Sequence, residues 1–188
     1  MHARTRSAFG ATLAIGSALA LARPGKTASV PPPPFRLRQP ALVWIQPRSA
    51  ITDWRRDDVR EARQAFADWS AVTPAIRFAV TDDSAAARVR VWWVDRFKEP
   101  VSGESRLVRD TAGGMMEATV RLAVHHRDGR QLDADAMRAL TMHEVGHLLG
   151  LEHSSDPSSI MAPTVRVREL SRGDSAALRN LYARAPRP

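Results

Sequence analysis

The stretch HEVGHLLGLEH contains three histidines and a glutamate at spacings that a helix can use for metal chemistry. His143 and His147 are four residues apart, so a helix places their imidazoles on one face, where they converge on a common point. Glu144 follows the first histidine, about 100° further round the helix. Gly150 can end the helix in a left-handed conformation, and His153 can then return to the same point.

This set of side chains is typical of a catalytic zinc site. Three neutral imidazoles suit one Zn²⁺ ion and leave a fourth position for water, which distinguishes a catalytic site from a closed structural one. Glu144 would accept the proton of that water during its attack on a carbonyl carbon. A histidine pair that merely packs on a helix is the alternative, and the additional Gly150 and His153 argue against it.

The same residues resemble the metzincin family of zinc peptidases, whose signature H-E-x-x-H-x-x-G-x-x-H is matched at every specified position. Ser154 follows the third histidine directly, and Met161 lies in the segment SIMAP. Both features are similar to the matrixin branch, in which a methionine turn lies beneath the metal. The resemblance implies that Met161 supports the site without binding the metal; its alternative role is that of an ordinary core methionine.

The fold that the resemblance implies is α+β. It comprises a twisted, mostly parallel sheet of about five strands with an antiparallel edge strand, two long helices packed on the sheet, and a C-terminal helix. Apolar runs between turn signals predict the strands, and apolar residues at helical spacing predict the helices. The predicted strands are residues 41–46, 76–80, 88–94, 103–108 and 115–124, and the predicted helices are residues 54–71, a segment capped by Asp133 or Asp135 that runs to about Leu149, and a segment that begins near Ser171.

Burial and capping follow from the same patterns. The first predicted helix carries an apolar stripe between residues 59 and 69, with Thr52 or Asp53 as its cap. The helix that carries the histidines is apolar nearly all round, so we expect it to be buried, as rigid ligand placement requires. The aromatic residues expected in the core, rather than on a ligand platform, are Trp69, Trp92 and Trp93.

Substrate binding is expected at the strand before the histidine helix. In the resembling family this strand lies along the cleft at the sheet edge and binds the substrate main chain in antiparallel fashion, through backbone hydrogen bonds. We assign residues 103–108, GESRLV, to this role, and we assign no side chain to substrate binding. Matrixins usually have aromatic residues at the positions of Ala162 and Val165. We therefore expect a wider or less defined pocket beside the scissile bond.

The N-terminal part of the chain has the features of an export signal. Residues 1–22 have a basic start, a weakly apolar stretch and an A-x-A pattern at Ala20 and Ala22, which predicts a secretory signal peptide. An uncleaved membrane anchor is the alternative, but the apolar stretch is shorter than the roughly 20 residues that span a bilayer. Residues 23–40 include four consecutive prolines and predict an extended linker, and residues 41–188 predict a single catalytic domain.

The chain contains no cysteine. This excludes disulfides, a cysteine-ligated second zinc site, and the matrixin cysteine switch, in which a propeptide thiolate caps the zinc. A second metal site at His125, His126 and Asp128 is an alternative to a solvated turn, which is the more common role of such residues. No motif supports a calcium site, so the sequence predicts one catalytic zinc ion as the cofactor.

The net charge of +8 indicates a cationic surface. The arginines are scattered and no nucleic-acid motif is present, so the predicted partner is a polypeptide substrate and not a nucleic acid. The sequence thus predicts a monomeric zinc endopeptidase, secreted or periplasmic, with no stable membrane insertion after signal cleavage. A non-enzymatic, zinc-stabilised binding module and a zinc amidase that acts on cell-wall peptides are the alternatives that the sequence leaves open.

Overall fold

The computed structural model describes residues 40–109 and 115–183. The predicted signal peptide and nearly all of the predicted linker lie outside the described residues. The strands are β1 (Ala41–Ile45), β2 (Phe78–Val80), β3 (Val89–Val94), β4 (Gly103–Arg109) and β5 (Met115–Ala123), and the helices are α1 (Arg56–Val72), α2 (Ala134–Leu148) and α3 (Arg172–Ala183).

The strands form one five-stranded sheet in the order β2-β1-β3-β5-β4. Neighbouring strands are parallel from β2 to β5, whereas β4 pairs with β5 in antiparallel register, from Gly103 opposite Leu122 to Leu107 opposite Ala118. Strand β4 is therefore the last strand of the sheet, and in the described part of the chain no strand pairs with its other edge. The predicted α+β fold, with a mostly parallel sheet and an antiparallel edge strand, is confirmed.

The core lies between one face of the sheet and the helices α1 and α2. Alternate residues of the central strands, such as Val91 on β3 and Val120 on β5, point towards the helices and are fully buried. Trp69 of α1 is also fully buried, and its indole N–H donates to the backbone carbonyl of Met142 at 2.8 Å. This hydrogen bond fixes the position of α2 against α1, because a buried indole donor needs a partner.

The predicted burial of α2 is also confirmed. From Met137 to Leu148 only Arg138 and His147 have more than minimal exposure. A helix that is apolar nearly all round must be covered on nearly all sides, here by the sheet, by α1 and by the segment around Met161. Asp133 caps the helix, since its carboxylate accepts the N–H of Ala136.

The predicted cap of α1 is wrong. The helix begins at Arg56 with Arg55 as its N-cap residue, and neither Thr52 nor Asp53 has this role. The buried carboxylate of Asp58, in the first turn, accepts the backbone N–H of Arg55 at 2.8 Å. The carboxylate of Asp58, inside the helix, thus accepts a backbone N–H at the start of α1, whereas the sequence pattern predicted that Thr52 or Asp53, before the helix, would cap it.

Two of the three tryptophans are buried as predicted, but the prediction for Trp92 is wrong. Trp93 is 5% exposed and Trp92 is 39% exposed. The strand alternation explains the difference, because Trp93 points towards the helices and its neighbour must then point to the opposite face of the sheet. There Trp92 packs edge-to-face on Trp44 of β1, with 4.8 Å between ring centroids.

The favoured solvated turn at the end of β5 is wrong for His125. Its side chain is buried, and its two ring nitrogens lie 2.8 Å from Asp95 and 3.2 Å from Asp53. Among the described residues, His125, His126 and Asp128 do not form a cluster that could hold a metal, and Asp128 is exposed and pairs with Arg130. Among residues 40–109 and 115–183, no helix is both long enough and apolar enough to cross a membrane.

Candidate active site

The three histidines of the motif come together at one point. The Nε2 atoms of His143 and His147 are 3.1 Å apart, and those of His147 and His153 are 3.2 Å apart. A tetrahedral zinc site with Zn–N bonds of about 2.0–2.1 Å separates its ligand nitrogens by about 3.3 Å. The spacing of these imidazoles therefore fits three ligands of a single zinc ion, and within the described residues this is the cluster that could hold a metal.

The second nitrogen of each helical histidine has a backbone partner. The Nδ1–H of His143 donates to the carbonyl of Ile160 at 2.8 Å, and that of His147 donates to the carbonyl of Leu151 at 2.9 Å. Carbonyl acceptors require a proton on Nδ1, so the lone pair of Nε2 faces the common point. Burial lowers the pKa of both rings below its usual value, which favours the neutral form that binds metal.

The chain reverses direction at Gly150, which has φ of 91°. The N–H of Gly150 donates to the carbonyl of His147, and the N–H of Leu151 donates to the carbonyl of Gly146. These two bonds form a Schellman motif at the C-terminus of α2. The turn places the carbonyl of Leu151 next to the imidazole of His147 and brings His153 back to the site.

Met161 packs directly against the backbone of α2. Its side chain is 2% exposed, and a Cβ built on Gly146 would lie 2.3 Å from its sulfur and 3.3 Å from the ring of Trp69. Only a glycine leaves room for this close approach. The carbonyl of Met161 also accepts the N–H of Ser154 at 2.9 Å, so the segment is tied to the residue after the third histidine.

Asp174, in the first turn of α3, holds the segment that carries Ile160. Its buried carboxylate accepts the hydroxyl of Ser159, the N–H of Ile160 at 3.0 Å, and both the N–H and the hydroxyl of Ser171. Burial acts to raise the pKa of Asp174, but these hydrogen bonds outweigh it and hold the pKa below its usual value. Because Ile160 is the acceptor for His143, the carboxylate also orients a histidine of the site.

Glu144 lies beside the start of β4. Its side chain is 5% exposed, and a Cβ built on Gly103 would be 2.6 Å from its Oε1 atom. Burial raises the pKa of Glu144 to about 7, while the hydrogen bond from the hydroxyl of Ser105 acts to lower it. The carboxylate is thus enclosed between α2 and the edge strand, next to the point where the imidazoles meet.

A cavity of about 570 Å³ contains this site. One wall is the segment from Pro100 to Ser105, at the start of β4, and the opposite wall is formed by α2 and the segment from Pro163 to Arg168. Val165 lines the cavity, whereas Ala162 is buried beside Met161 and is not part of the lining. Of the two positions without an aromatic residue, only Val165 therefore affects the shape of the pocket.

A family model described as Matrixin matches residues 44–183, which run from β1 to the end of α3. The chain belongs to the matrixin family. This membership confirms the family inferred from the histidine motif, Ser154 and Met161. It also accounts for the agreement between the observed sheet and the predicted one.

Several relatives are similar to this matrixin over part of their length. Matrix metalloproteinase-C of Caenorhabditis elegans is 31% identical over 122 residues, which cover 60% of the chain and 21% of that protein. Matrilysin of Felis catus is 45% identical over 62 residues, which cover 30% and 23%. Metalloendoproteinase 4-MMP of Arabidopsis thaliana is 27% identical over 154 residues, which cover 76% and 44%. The chain spans less than half the length of each of these relatives.

The sequence motif does not predict the roles that three further residues have in the site of this matrixin. Gly146 is an interior helical glycine, which costs about 1 kcal/mol relative to alanine, and that cost is a signal of close packing. Asp174 is visible in the sequence only as part of a capping box with Ser171, and its bonds to the segment of Ile160 depend on tertiary structure. Gly103 gives no signal, because its contact with Glu144 arises only when β4 packs against α2.

Proposed function

We propose that this matrixin is an exported zinc-dependent endopeptidase, in which His143, His147 and His153 bind one Zn²⁺ ion. The convergence of the three Nε2 atoms, next to a buried carboxylate and inside an open cavity, is the observation that carries the proposal. A structural zinc site has no need of a buried glutamate or of an adjoining cavity. Both features favour catalysis over the binding-module alternative.

Each residue of the site has a separate role in peptide hydrolysis. Zinc held by the three histidines would supply a Lewis acid for the scissile carbonyl and would lower the pKa of a water towards neutral pH. Glu144 acts as the general base, which takes a proton from the attacking water and then gives it to the leaving amine. The carbonyls of Ile160 and Leu151 keep two of the histidines in the tautomer and orientation that metal binding needs. Met161 and Gly150 support this arrangement and do not bind the metal.

The substrate main chain would bind along β4. The edge of β4 that does not pair with β5 adjoins the cavity, and Gly103, Glu104 and Ser105 line it. An extended peptide that adds to this edge gains backbone hydrogen bonds, and its alternate side chains point into the cavity. The scissile bond then lies in the cavity beside Gly103 and the three histidines, where Glu144 can reach it as the general base.

Peptide-library cleavage with and without a chelator tests the proposal. We expect the mature protein to cleave internal bonds of unfolded polypeptides, to lose activity when a chelator removes the metal, and to regain it when zinc is added. Zinc-loaded protein that cleaves no peptide bond in such a library would contradict the assignment. Cleavage confined to peptides with D-residues or amino sugars would favour the cell-wall amidase instead.

Export is proposed from the sequence alone, because residues 1–22 have the pattern of a secretory signal. Expression of the whole chain in a bacterium, followed by mass spectrometry of the product outside the cytoplasm, measures where the mature chain begins. A start near Arg23 supports the proposal. Retention of residues 1–22 in a membrane-bound product would show that the segment is an anchor.

A further inference from the structure

The cavity of the candidate site extends along α2 towards the N-terminus of the helix. Ala136, Leu140 and His143 follow one another at intervals of four and three residues, and all three line the cavity from one helix face. Ala136 and His143 are seven residues apart, which corresponds to about 10 Å along the helix axis. This apolar part of the cavity therefore leads away from the point where the imidazoles meet.

Arg168 lines the cavity and contacts the residue at the N-terminus of α2. Its Nη2 atom is 3.9 Å from Oδ2 of Asp133, the residue that caps α2. Among the described residues that line the cavity, it is the only arginine or lysine. Leu132, Leu140 and Val165 form apolar walls in the same cavity. The cavity thus combines apolar walls with one guanidinium group. The two carboxylates that also line it belong to Glu144, beside the histidines, and to Glu104, which is paired with Arg106 and Arg121.

The contact between Arg168 and Asp133 leaves the guanidinium available to a ligand. The two side chains are 48% and 71% exposed, and an exposed ion pair at 3.9 Å contributes little to stability. The other oxygen of the Asp133 carboxylate, Oδ1, already accepts a hydrogen bond from the N–H of Ala136. A guanidinium has five N–H donors, so most of its hydrogen-bonding capacity is unused by a single contact of this kind.

We infer that Arg168 makes this cavity selective for a substrate side chain with an apolar stem and a terminal carboxylate, which is the chemistry of glutamate. The inference rests on the proposed peptidase function. A carboxylate that enters the cavity replaces the weak contact with Asp133 by a charge-assisted hydrogen bond. An amide of the same shape makes a weaker bond, an aspartate is one methylene shorter, and a lysine is repelled by Arg168.

Positional scanning with matched peptides tests the inference. Each peptide set has one constant sequence, with glutamate, glutamine or lysine at one position, and the sets cover successive positions on both sides of the expected scissile bond. Glutamate and glutamine have the same shape, so the ratio of their kcat/KM values isolates the charge. We expect one position at which this ratio is about threefold to tenfold at low salt, because Arg168 is half-exposed and its field is partly screened.

Two variants and one control assign the selectivity to its source. Arg168→Gln should reduce the glutamate-to-glutamine ratio to about one. Asp133→Asn should raise the ratio, since it removes the competing carboxylate and keeps an oxygen that can cap α2. Arg166→Gln changes the net charge by the same amount as the first variant, but Arg166 does not line the cavity, so the ratio should stay at the native value.

The possible results distinguish the role of Arg168 from the peptidase function. A native ratio near one at every position, with the peptides cleaved, overturns the role of Arg168 and leaves the peptidase function standing. A high glutamate-to-glutamine ratio that persists in Arg168→Gln also overturns the role of Arg168. A high native ratio that falls in Asp133→Asn overturns this role as well, and this result does not depend on the arginine variant. If the native protein cleaves none of the peptides, the proposed function fails and the inference fails with it.

Discussion

Single hydrogen bonds decide how the histidines of this matrixin face their common point. His143 is oriented by the carbonyl of Ile160, and the N–H of the same residue is bound by the carboxylate of Asp174. A buried aspartate outside the histidine motif is therefore connected to a proposed metal ligand through one peptide unit. Groups of this kind affect metal affinity because they restrict the orientation of the ligand.

Substitution of Asp174 tests this connection. In Asp174→Asn, an NH₂ group replaces one carboxylate oxygen, so the donors that Asp174 binds, among them the N–H groups of Ile160 and Ser171, are left with a single acceptor oxygen. We expect a loss of about 1–3 kcal/mol in the free energy of unfolding of the metal-free protein. Zinc affinity, measured by competition with a chelator, should fall by about 10-fold to 100-fold.

Asp156→Asn is the matched control for this experiment. Asp156 is exposed and its carboxylate accepts hydrogen bonds only from the neighbouring Ser158 in the described structure. This substitution should change the free energy of unfolding by less than about 0.5 kcal/mol. Unchanged zinc affinity in a folded Asp174→Asn protein would show that the carboxylate stabilises the fold without orienting His143.

At the scale of elements, α2 must approach three neighbours at once: the sheet, α1 and the segment that contains Met161. The absence of a side chain at Gly146 permits the closest of these contacts. The histidine motif does not specify this residue, so its importance is a property of packing and not of metal chemistry. The helix presents ligands rigidly because its opposite side is filled to the density of a protein core.

Gly146→Ala tests the packing of α2 against Met161. The added methyl group would lie 2.3 Å from the sulfur of Met161, whose side chain is 2% exposed and has little room to move. We expect the free energy of unfolding to fall by about 1–3 kcal/mol in a urea titration, despite the higher helix propensity of alanine. In the control Gly173→Ala on α3, the nearest atom is 3.4 Å away, so stability should be equal or higher. Equal stabilisation by both substitutions would contradict the close packing described above.

The helices and strands could largely be predicted from the sequence, and the failures share one cause. Periodic apolar residues and the histidine motif predicted α2, its cap at either Asp133 or Asp135, and its end near Gly150, because these depend on local interactions; the structure selects Asp133. The cap of α1 and the outward position of Trp92 depend on which tertiary neighbours are present. Propensity rules assign a cap to the nearest upstream residue and place aromatic residues inside, and neither rule contains the tertiary structure.

At the scale of the whole molecule, His125 connects segments that are distant in the chain. It follows β5 and binds Asp95, after β3, and Asp53, in the loop before α1. Asp53 has φ of 64°, in the left-handed region that aspartate and asparagine tolerate better than most residues. The sequence pattern alone favoured a solvated turn here, because it shows the neighbours of His125 in the chain and not the two carboxylates that approach it.

The pH dependence of stability tests this connection. The hydrogen bond to Asp53, and after it the one to Asp95, raise the pKa of His125 above its usual value against the opposing effect of burial. A raised pKa in the folded state stabilises the fold below the unfolded pKa of about 6.5, and this stabilisation is lost as pH rises through the folded pKa. The difference in free energy of unfolding between native protein and His125→Gln should therefore be largest near pH 5.5 and smaller near pH 8.5.

Asp53→Asn is the control for the pH experiment, since asparagine keeps the left-handed backbone and removes the negative charge. When Asp53→Asn is present, the difference in free energy of unfolding between the proteins with and without His125→Gln should vary less with pH. A difference that is constant between these pH values, or that grows as pH rises, would show that His125 is not stabilised in its protonated form.

We propose that Glu144 is the general base of a zinc peptidase whose metal is held by His143, His147 and His153. The most direct test is the zinc content and the peptide-cleavage rate of Glu144→Gln, beside native protein and the exposed-site control Glu169→Gln. We predict that all three proteins bind about one zinc ion per chain, that the control keeps the native rate, and that Glu144→Gln loses about 100-fold to 10,000-fold in kcat. Zinc-loaded Glu144→Gln that cleaves peptides at the native rate would contradict the account.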